Sequence, residues 1–409
     1  MQAQAARKVP QIRFKGLEGG WQELQFRDII SNLSGGAAIK PEDYQDNGVR
    51  TVPKGAVNSS GIADLSGSKY ISPNFFVQNK SSAVSAGNLI TSLRDLVPSA
   101  PNLGRIVKIG GQAEVFLMPQ GVYKIELYAG IDEAFVISYS NGNKFRKIIA
   151  SEKNGSTQVH LRNGEFLDIS IGTPSHSEQT QVGEYFRELD SLIALHQRKH
   201  DKLVALKKAI LQKMFPQPGA TTPEIRFKGF SGDWVEKPFD QIATRATQAA
   251  AEASLPRLEY EDIISGKGEL NKNLTKKVSA KKGIKFEIGA VLFGKLRPYL
   301  RNWFLAEFEG IAIGDFWVLK ATSGVPSFLY CLIQIASFET IANQSAGSKM
   351  PRSDWKLVSS SAFPVPPTES EEQKIGSYFR TLDELISKHA TQLQKLQQIK
   401  SACLEKMFV

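Results

Sequence analysis

The sequence predicts an α/β (α+β) fold, in which two globular modules and two long helices form an internal repeat with pseudo-two-fold character. Residues 10–29 (PQIRFKGLEGGWQELQFRDI) return at 223–242 (PEIRFKGFSGDWVEKPFDQI), with 11 of 20 positions identical. Residues 178–215 return at 371–408 without a gap, with 18 of 38 identical. The intervening segments show no comparable similarity. A duplicated framework with two different inserts indicates one chain that presents two different specificities in a fixed geometry.

The two long repeats have the pattern of amphipathic helices. Their apolar residues recur at three- and four-residue spacings, neither copy contains proline, and the opposite faces are polar. Ser177 and Ser370 are the predicted N-caps. A helix of 38 residues is about 57 Å long, so its apolar stripe needs a partner of equal length, for which the other copy is the candidate. The predicted pairing positions are Leu189, Leu192, His196, Leu203, Leu382, Leu385, His389 and Leu396. The alternative, two unrelated core helices, is disfavoured by the gapless repetition.

His196 and His389 interrupt the two stripes at the same point. No acidic or cysteine partner shares their spacing, which argues against a metal or catalytic role. A polar residue that sets the register of a coiled coil is the favoured interpretation.

Short β-rich runs broken by Gly, Ser, Asn and Pro lie between the framework pieces and predict mixed α/β modules. The predicted strands are 121–127, 134–139, 158–161, 290–293 and 316–319, and the predicted turns are 41–49 and 72–76. The resulting partition has six parts: an N-terminal framework segment (1–20), a first module (21–175), a central helix (176–216), a linker with the repeated framework (217–233), a second module (234–368) and a C-terminal helix (369–409).

Composition narrows the class of protein. The chain of 409 residues has no run of about 18 apolar residues, so no membrane association is expected. No apolar stretch follows the first residues, so a secretory signal is not expected. Cys331 and Cys403 lie far apart, which argues against a disulfide framework or a cysteine zinc site and suits the cytoplasm. A net charge of +10 indicates a polyanionic partner.

The strongest local charge feature is the segment 265–301, which has ten Lys and Arg residues against Glu269 and Glu287. Such a surface can follow a phosphate backbone, although a solvated basic face is the alternative. The candidate DNA-contacting residues of the second module are Lys295, Arg297, Tyr299, Arg301, Ser348, Lys349 and Arg352. Those of the first module, where basic residues are scattered, are Lys54, Lys69 and Arg94.

No motif predicts catalysis, a bound cofactor or a metal site on this chain. The segment 289–296 (GAVLFGKL) has the spacing of a phosphate-binding loop but ends in Leu296, where a Ser or Thr must bind magnesium. A strand that runs into a basic turn is the better interpretation. The triplet Asp354–Trp355–Lys356 is nuclease-like, but nothing upstream forms a carboxylate cluster.

Together these features resemble the DNA-specificity (S) subunit of type I restriction–modification enzymes. The resemblance is carried by the paired openings IRFKGLEGGW and IRFKGFSGDW, the helix ends LQKMF and LEKMF, and LFGKLRPYLRNW, GIAIGDFWVLK and NQSAGSKMPRSDW in the second module. The segment 90–98 (ITSLRDLVP) departs from the pattern, since it lacks the Lys and the Pro-Tyr pair.

The resemblance implies two target-recognition domains, each reading half of a split sequence in double-stranded DNA, separated by two antiparallel coiled-coil helices that act as a ruler. It implies two methyltransferase (M) subunits and two motor/nuclease (R) subunits as partners, with S-adenosylmethionine, ATP and Mg²⁺ on those partners. The prediction is therefore a non-catalytic subunit that directs adenine methylation and restriction. The alternatives are half of a catalytic methyltransferase or nuclease with an unrecognised site, and a coiled-coil scaffold without a DNA role.

Overall fold

The computed structural model describes residues 9–111, 114–252, 254–272, 274, 281–344 and 349–409. Its internal contacts divide the chain into two compact units, Met1–Gln197 with Thr391–Val409 and Arg198–Ala390. The division falls within both long helices. The partition into six parts remains a prediction.

The first unit consists of short strands and helices that lead into the first long helix. Its strands are β1 (Gln22–Gln25), β2 (Ile30–Gly35), β3 (Tyr44–Gln45), β4 (Val49–Thr51), β5 (Tyr70–Ile71), β6 (Ala83–Ser85), β7 (Leu89–Ser92), β8 (Arg94–Asp95), β9 (Ile106–Lys108), β10 (Val115–Leu117), β11 (Val122–Leu127), β12 (Val159–His160) and β13 (Ser170–Thr173). Its helices are α1 (Phe26–Ile29), α2 (Pro73–Gln78), α3 (Glu133–Asn141), α4 (Asn143–Glu152), α5 (Asn163–Leu167) and the start of α6 (His176–Lys213), with 3₁₀ turns at Pro41–Asp43 and Lys80–Ser82.

The second unit has the same kind of content. Its strands are β14 (Val235–Pro238), β15 (Ala243–Ala246), β16 (Ala249–Ala250), β17 (Arg257–Leu258), β18 (Ile263–Ile264), β19 (Glu269–Leu270), β20 (Gly283–Phe286), β21 (Val291–Gly294), β22 (Trp303–Leu305), β23 (Gly310–Ala312), β24 (Phe316–Ala321) and β25 (Ala362–Val365). Its helices are α7 (Phe239–Ile242), α8 (Pro326–Leu332), α9 (Ala336–Ala342), α10 (Trp355–Ser360) and the start of α11 (Glu369–Lys406), with 3₁₀ turns at Tyr260–Asp262 and Pro298–Leu300. The predicted α/β (α+β) class is confirmed.

Each unit contains a four-stranded antiparallel sheet with the same strand order. The order is β2-β11-β7-β9 in the first unit and β15-β24-β21-β22 in the second. A second sheet accompanies it, with order β3-β5-β4-β10-β6 in the first unit and β16-β20-β23-β17 in the second. The pairs β1-β13 and β14-β25 lie where the repeated framework meets its module. The dissimilar inserts therefore share one architecture, which their sequences did not reveal.

Aromatic residues at the helix ends complete the two cores. Phe408 in the first unit packs against Trp21 and stacks on Phe186, with ring centroids 6.3 and 5.5 Å apart. Phe215 in the second unit packs against Trp234 and stacks on Phe328, at 5.6 Å in both contacts. Burial of such rings favours packing of each module on its helices. The repeated Trp and Met-Phe motifs are therefore framework core.

Three local predictions were wrong. Both long helices begin two residues before the repeats, so Ser177 and Ser370 lie in the first turn. The hydroxyls of Ser175 and Thr368 instead accept hydrogen bonds from the backbone N–H of the residue three positions on.

Residues 134–139, predicted as a strand, lie in helix α3 because Asp132 caps it, accepting from Phe135 N at 2.8 Å. Its apolar residues Phe135, Val136 and Tyr139 form one buried face. Residues 72–76, predicted as a turn, overlap helix α2, where Ser72 is the N-cap and Pro73 the first helical residue. In both segments a capping side chain outweighs the β or turn propensity of the residues that follow.

Candidate nucleic-acid interface

The predicted basic loop of the second module begins where strand β21 ends. Lys295 follows Gly294, so the expected strand running into a basic turn is confirmed. Asp315 organises the loop: the Arg352 guanidinium donates to its Oδ2 from Nε at 3.2 Å and from Nη2 at 3.1 Å. Lys295 Nζ lies 3.5 Å from Oδ1 of the same carboxylate. One carboxylate thus positions two of the predicted DNA-contacting cations, and Arg352 still keeps half of its side chain exposed.

Backbone strain is concentrated in the same loop. Arg297 (φ 50°) and Arg301 (φ 56°) flank the 3₁₀ turn, and Ala100 is the other non-glycine residue with positive φ in the described part of the chain. Such residues cost roughly 1–3 kcal/mol and cluster at functional sites. The Arg297 N–H donates to Pro351 O at 2.7 Å, which joins this loop to the segment that holds Arg352.

The exposed side chains on this loop match the chemistry expected of a DNA surface. Tyr299 is 56% exposed, and Arg297 is exposed without an ion-pair partner in the described residues. Arg301 donates to Glu339 at 2.9 Å, and Lys349 is exposed nearby in sequence. Ser348, the remaining candidate of this module, lies outside the described residues.

The basic segment 265–301 is less uniformly positive than its sequence indicates. Five of its eight described cations form ion pairs. Lys272, for example, lies 2.6 Å from the fully buried carboxylate of Asp262, and Lys285 pairs with Glu252. Three of these cations pair with acids from residues 252–262, upstream of the segment, and the other two pair with Asp315 and Glu339, downstream of it. A local count of charges could therefore not include these acids. The candidate surface therefore narrows to the loop around Arg297.

In the first module, two of the three predicted residues line one cleft. Lys54 and Arg94 lie at a cleft of about 400 Å³ between the ends of strands β7, β11 and β12. Lys69 lies elsewhere, with its Nζ 4.9 Å from the centre of the Tyr44 ring beside the other sheet. Three uncharged or weakly basic residues at the cleft, Gln120, Gln158 and His160, were not singled out from the sequence.

The predicted helix-pairing residues fall into two groups. Leu189 and Leu382 are buried at 6% exposure, and Leu203 and Leu396 pack partly buried against the two cores. Leu192 and Leu385 do not pack in this way, since 43% and 39% of their surfaces remain exposed. His196 and His389 are half-buried and take part in interactions. A coiled coil along the full length of both helices remains a prediction.

Within each unit an ion pair joins the two long helices. In the first unit, Asp190 of α6 pairs with Lys400 of α11. In the second, Asp383 of α11 pairs with Lys207 of α6 at 2.6 Å. Burial raises the pKa of both aspartates, and the lysine partners oppose this shift. Asp190 and Asp383 occupy the same position in the two repeats, as do Lys207 and Lys400, so the repeats form the same contact twice.

The repeated openings anchor each module to its helix through buried ion pairs, which the sequence analysis missed. Arg13 donates to both carboxylate oxygens of Glu178 at 2.8 and 2.6 Å, and Arg226 does the same to Glu371 at 2.7 and 2.8 Å. The glutamate side chains are 2% and 1% exposed. The signal was present as an Arg in each IRFKG and a Glu at the start of each long repeat.

Two equivalent glycines in the long helices allow the modules to pack closely against them. A Cβ at Gly183 would lie 2.6 Å from Phe135 N, and one at Gly376 would lie 2.9 Å from Phe328 N. Either distance is shorter than real Cβ contacts allow. Only glycine therefore lets the first turns of α3 and α8 approach the long helices this closely.

Among the described residues, no helix is long and apolar enough to cross a membrane. In the same part of the chain, no group of three or more His, Cys, Asp or Glu side chains is placed to bind a metal ion.

Comparison with known proteins agrees with this architecture. Residues 18–205 match the type I restriction modification DNA specificity domain. The chain is 20% identical over 298 residues to the Escherichia coli type I restriction enzyme EcoDI specificity subunit, covering 64% of this chain and 66% of the relative. It is 20% identical over 220 residues to the MjaVIII specificity subunit of Methanocaldococcus jannaschii, covering 52% and 48%. The matches thus span about two thirds and about half of these relatives.

The fold likeness is more extensive. The crystal structure of the type I restriction–modification S subunit from M. genitalium superimposes with a TM-score of 0.61 at 14% identity, covering 98% of this chain and 99% of that one. The resemblance inferred from the paired openings and helix ends is confirmed. Residues 18–205 thus match the type I restriction modification DNA specificity domain, and the fold of the whole chain is similar to that of a solved S subunit.

Proposed function

We propose that this chain is the specificity subunit of a type I restriction–modification complex, which binds a bipartite sequence in double-stranded DNA. The observation that supports this is the repeated four-stranded sheet, present once in each unit with different side chains where its strands β7 and β21 end. Two copies of one scaffold with different polar loops can read two different half-sites. Base contacts supply such specificity, while phosphate contacts position the protein.

The second module supplies the clearest DNA-binding chemistry. Arg297 and Arg352 present exposed guanidinium groups, which pair bidentately with guanine in the major groove. Lys295 and Lys349 contribute salt-dependent affinity through phosphates. Tyr299 offers an exposed ring beside them. Catalysis is assigned to partner subunits, which hold S-adenosylmethionine, ATP and Mg²⁺ in this proposal.

The partners proposed are two methyltransferase subunits and two motor/nuclease subunits. Support for paired partners comes from exposed apolar residues at equivalent positions of the two long helices. Leu192 and Ile399 of the first unit are 43% and 45% exposed, and their counterparts in the second, Leu385 and Leu206, are 39% and 40% exposed. Two equivalent apolar patches suit two copies of one partner.

Mapping of adenine methylation across the genome, with and without this gene, tests the proposal. The expected result is methylation at one split sequence that disappears with the gene and returns with the intact copy. Arg297→Ala should retain methylation of the split sequence but relax its second half. Methylation that does not depend on the gene contradicts the proposal. Binding of S-adenosylmethionine by the isolated chain would instead favour a catalytic half-enzyme.

A further inference from the structure

The loop that departs most from the family pattern has an exact backbone counterpart in the second module. Leu93 N donates to Gly121 O at 3.0 Å, and Lys295 N donates to Asp315 O at 2.8 Å, at the same place in the two sheets. Leu93 is thus equivalent to Lys295, and Gly121 to Asp315. At the position of Asp315, whose carboxylate organises the second module, the first module has Gly121 and so no side chain.

The segment that pairs with the residue after Leu93 or Lys295 also corresponds in the two modules. Arg94 pairs with His160 across β8 and β12, and Leu296 pairs with Arg352 in an antiparallel bridge. The next hydrogen bonds also correspond, Leu161 N to Leu93 O at 3.0 Å and Ser353 N to Lys295 O at 2.9 Å. His160 therefore occupies the place of Arg352, and Arg94 occupies the place of Leu296.

In the first module the cation is Arg94, at the position of Leu296. In the second module it is Arg352, on the segment that pairs with Leu296. The Arg94 side chain passes over Gly121, whose Cβ, if present, would lie 3.1 Å from Arg94 Cδ. Glycine at this position makes room for the guanidinium stem. The neighbouring acid, Asp95, accepts hydrogen bonds from the backbone N–H groups of Val97 and Asn102 at 3.3 and 3.0 Å. Asp95 therefore shapes the loop, as Asp315 does in the second module through its side chain.

The cleft beside this loop combines cations with amide and imidazole groups. Lys54 and Arg94 are exposed on its rim, and Gln158 and His160 are exposed on strand β12 and just before it. Glutamine can pair bidentately with adenine N6 and N7, whereas a bidentate guanidinium selects guanine. At the equivalent positions His160 and Arg352, the two modules thus offer different groups, an imidazole and a guanidinium.

We propose that Gln158 and His160 read bases of the first half-site, while Lys54 and Arg94 contact flanking phosphates. This inference rests on the proposed function and adds to it the residues that define the first specificity. In this proposal both modules have their site at the same place in the sheet. The first module reads bases with an amide and an imidazole, and the second reads them with guanidinium groups.

The test uses the full-length chain with its methyltransferase partner and duplexes that carry the methylated sequence found by genome mapping. Every base pair of both half-sites is replaced in turn, and binding is measured for the wild type, Gln158→Ala and His160→Ala. Each variant should lose discrimination at one or two base pairs of the first half-site, by about 5- to 140-fold. The second half-site should be read as before. Gln78→Ala, on exposed helix α2, is the matched control.

The outcomes separate this inference from the proposed function. If the wild type reads two half-sites and neither variant changes the first, the assignment to Gln158 and His160 is overturned. The same holds if discrimination is lost at the second half-site. If the wild-type complex shows no sequence preference at all, the proposed function itself fails. Because both residues are exposed, thermal unfolding should match the wild type in every variant.

Discussion

Arg297→Gly should make the protein more stable and a poorer DNA binder at the same time. A non-glycine residue in the left-handed region costs roughly 1–2 kcal/mol, and Arg297 has φ 50°. The position before Pro298 is restricted further, since proline disfavours helical conformations in the preceding residue. Glycine removes this strain but costs about 0.5–1 kcal/mol through the greater freedom of the unfolded chain. The net expectation is a gain of about 0.5–1 kcal/mol.

The surroundings of Arg297 do not change the expected gain in stability. Its side chain is exposed and forms no ion pair in the described part of the chain, so truncation removes little buried surface. Its backbone hydrogen bond to Pro351 O is available to glycine. In a domain of this size, the gain corresponds to a rise in Tm of roughly 1–4 °C. DNA affinity should fall about 5- to 140-fold if the guanidinium reads guanine.

Thermal unfolding and equilibrium binding at several salt concentrations measure the two effects. Arg297→Ala is the matched variant, because it removes the guanidinium but keeps the strain; it should lose the same affinity without the gain in Tm. Lys320→Ala removes one charge from the far end of β24 and should change neither quantity. A Tm for Arg297→Gly at or below that of Arg297→Ala refutes the strain argument. Unchanged affinity with an unchanged salt dependence shows that the loop does not face DNA.

Three further predictions concern the framework. A fragment of residues 1–215 should form a dimer that reads an inverted repeat of the first half-site, since the exposed apolar end of its helix can replace the missing helix end of a second copy; a folded monomer by analytical ultracentrifugation at tens of micromolar contradicts this. Inserting Ala-Leu-Glu-Lys after both Lys202 and Lys395 adds roughly 6 Å of helix, so methylation mapping should show the spacer lengthened by about one to two base pairs with both half-sites unchanged; an unchanged spacer excludes the ruler. Glu371→Gln should lower the free energy of unfolding by about 3 kcal/mol, because it leaves a largely buried guanidinium unpaired, while exposed Glu369→Gln should cost less than about 0.5 kcal/mol in the same denaturant titration.

Repetition made the framework predictable, because two copies of a sequence constrain one structure. The gapless match of 178–215 to 371–408 located both helices to within two residues. Their starts were displaced because Ser175 and Thr368, which cap them, lie just outside the repeat. Both capping residues have a hydroxyl, but one is a serine and the other a threonine. A search for identical residues could therefore not extend the repeat to these positions.

The modules were harder to predict because their sheets depend on pairings between distant segments. Strand β11 pairs with β2 and β7 through backbone hydrogen bonds, which do not depend on the identity of the side chains. Similar architecture can therefore coexist with dissimilar sequence. The candidate site of the second module was predicted from a cluster of cations, and in the first module only Lys54, Lys69 and Arg94 were predicted. Gln158 and His160 carry no charge pattern, and only the pairing of His160 with Arg94 connects them to the basic loop.

The closure of each unit explains why a framework of this kind occurs in two copies. Phe408, at the end of the second long helix, fills the core of the first unit beside Trp21. Phe215, at the end of the first long helix, fills the core of the second unit beside Trp234. Each repeat therefore supplies the helix end that the other module needs, and one repeat alone leaves an aromatic residue exposed and a core incomplete. Because Trp21, Trp234, Phe215 and Phe408 belong to the repeats, the loops of the two modules can diverge while the same rings complete both cores.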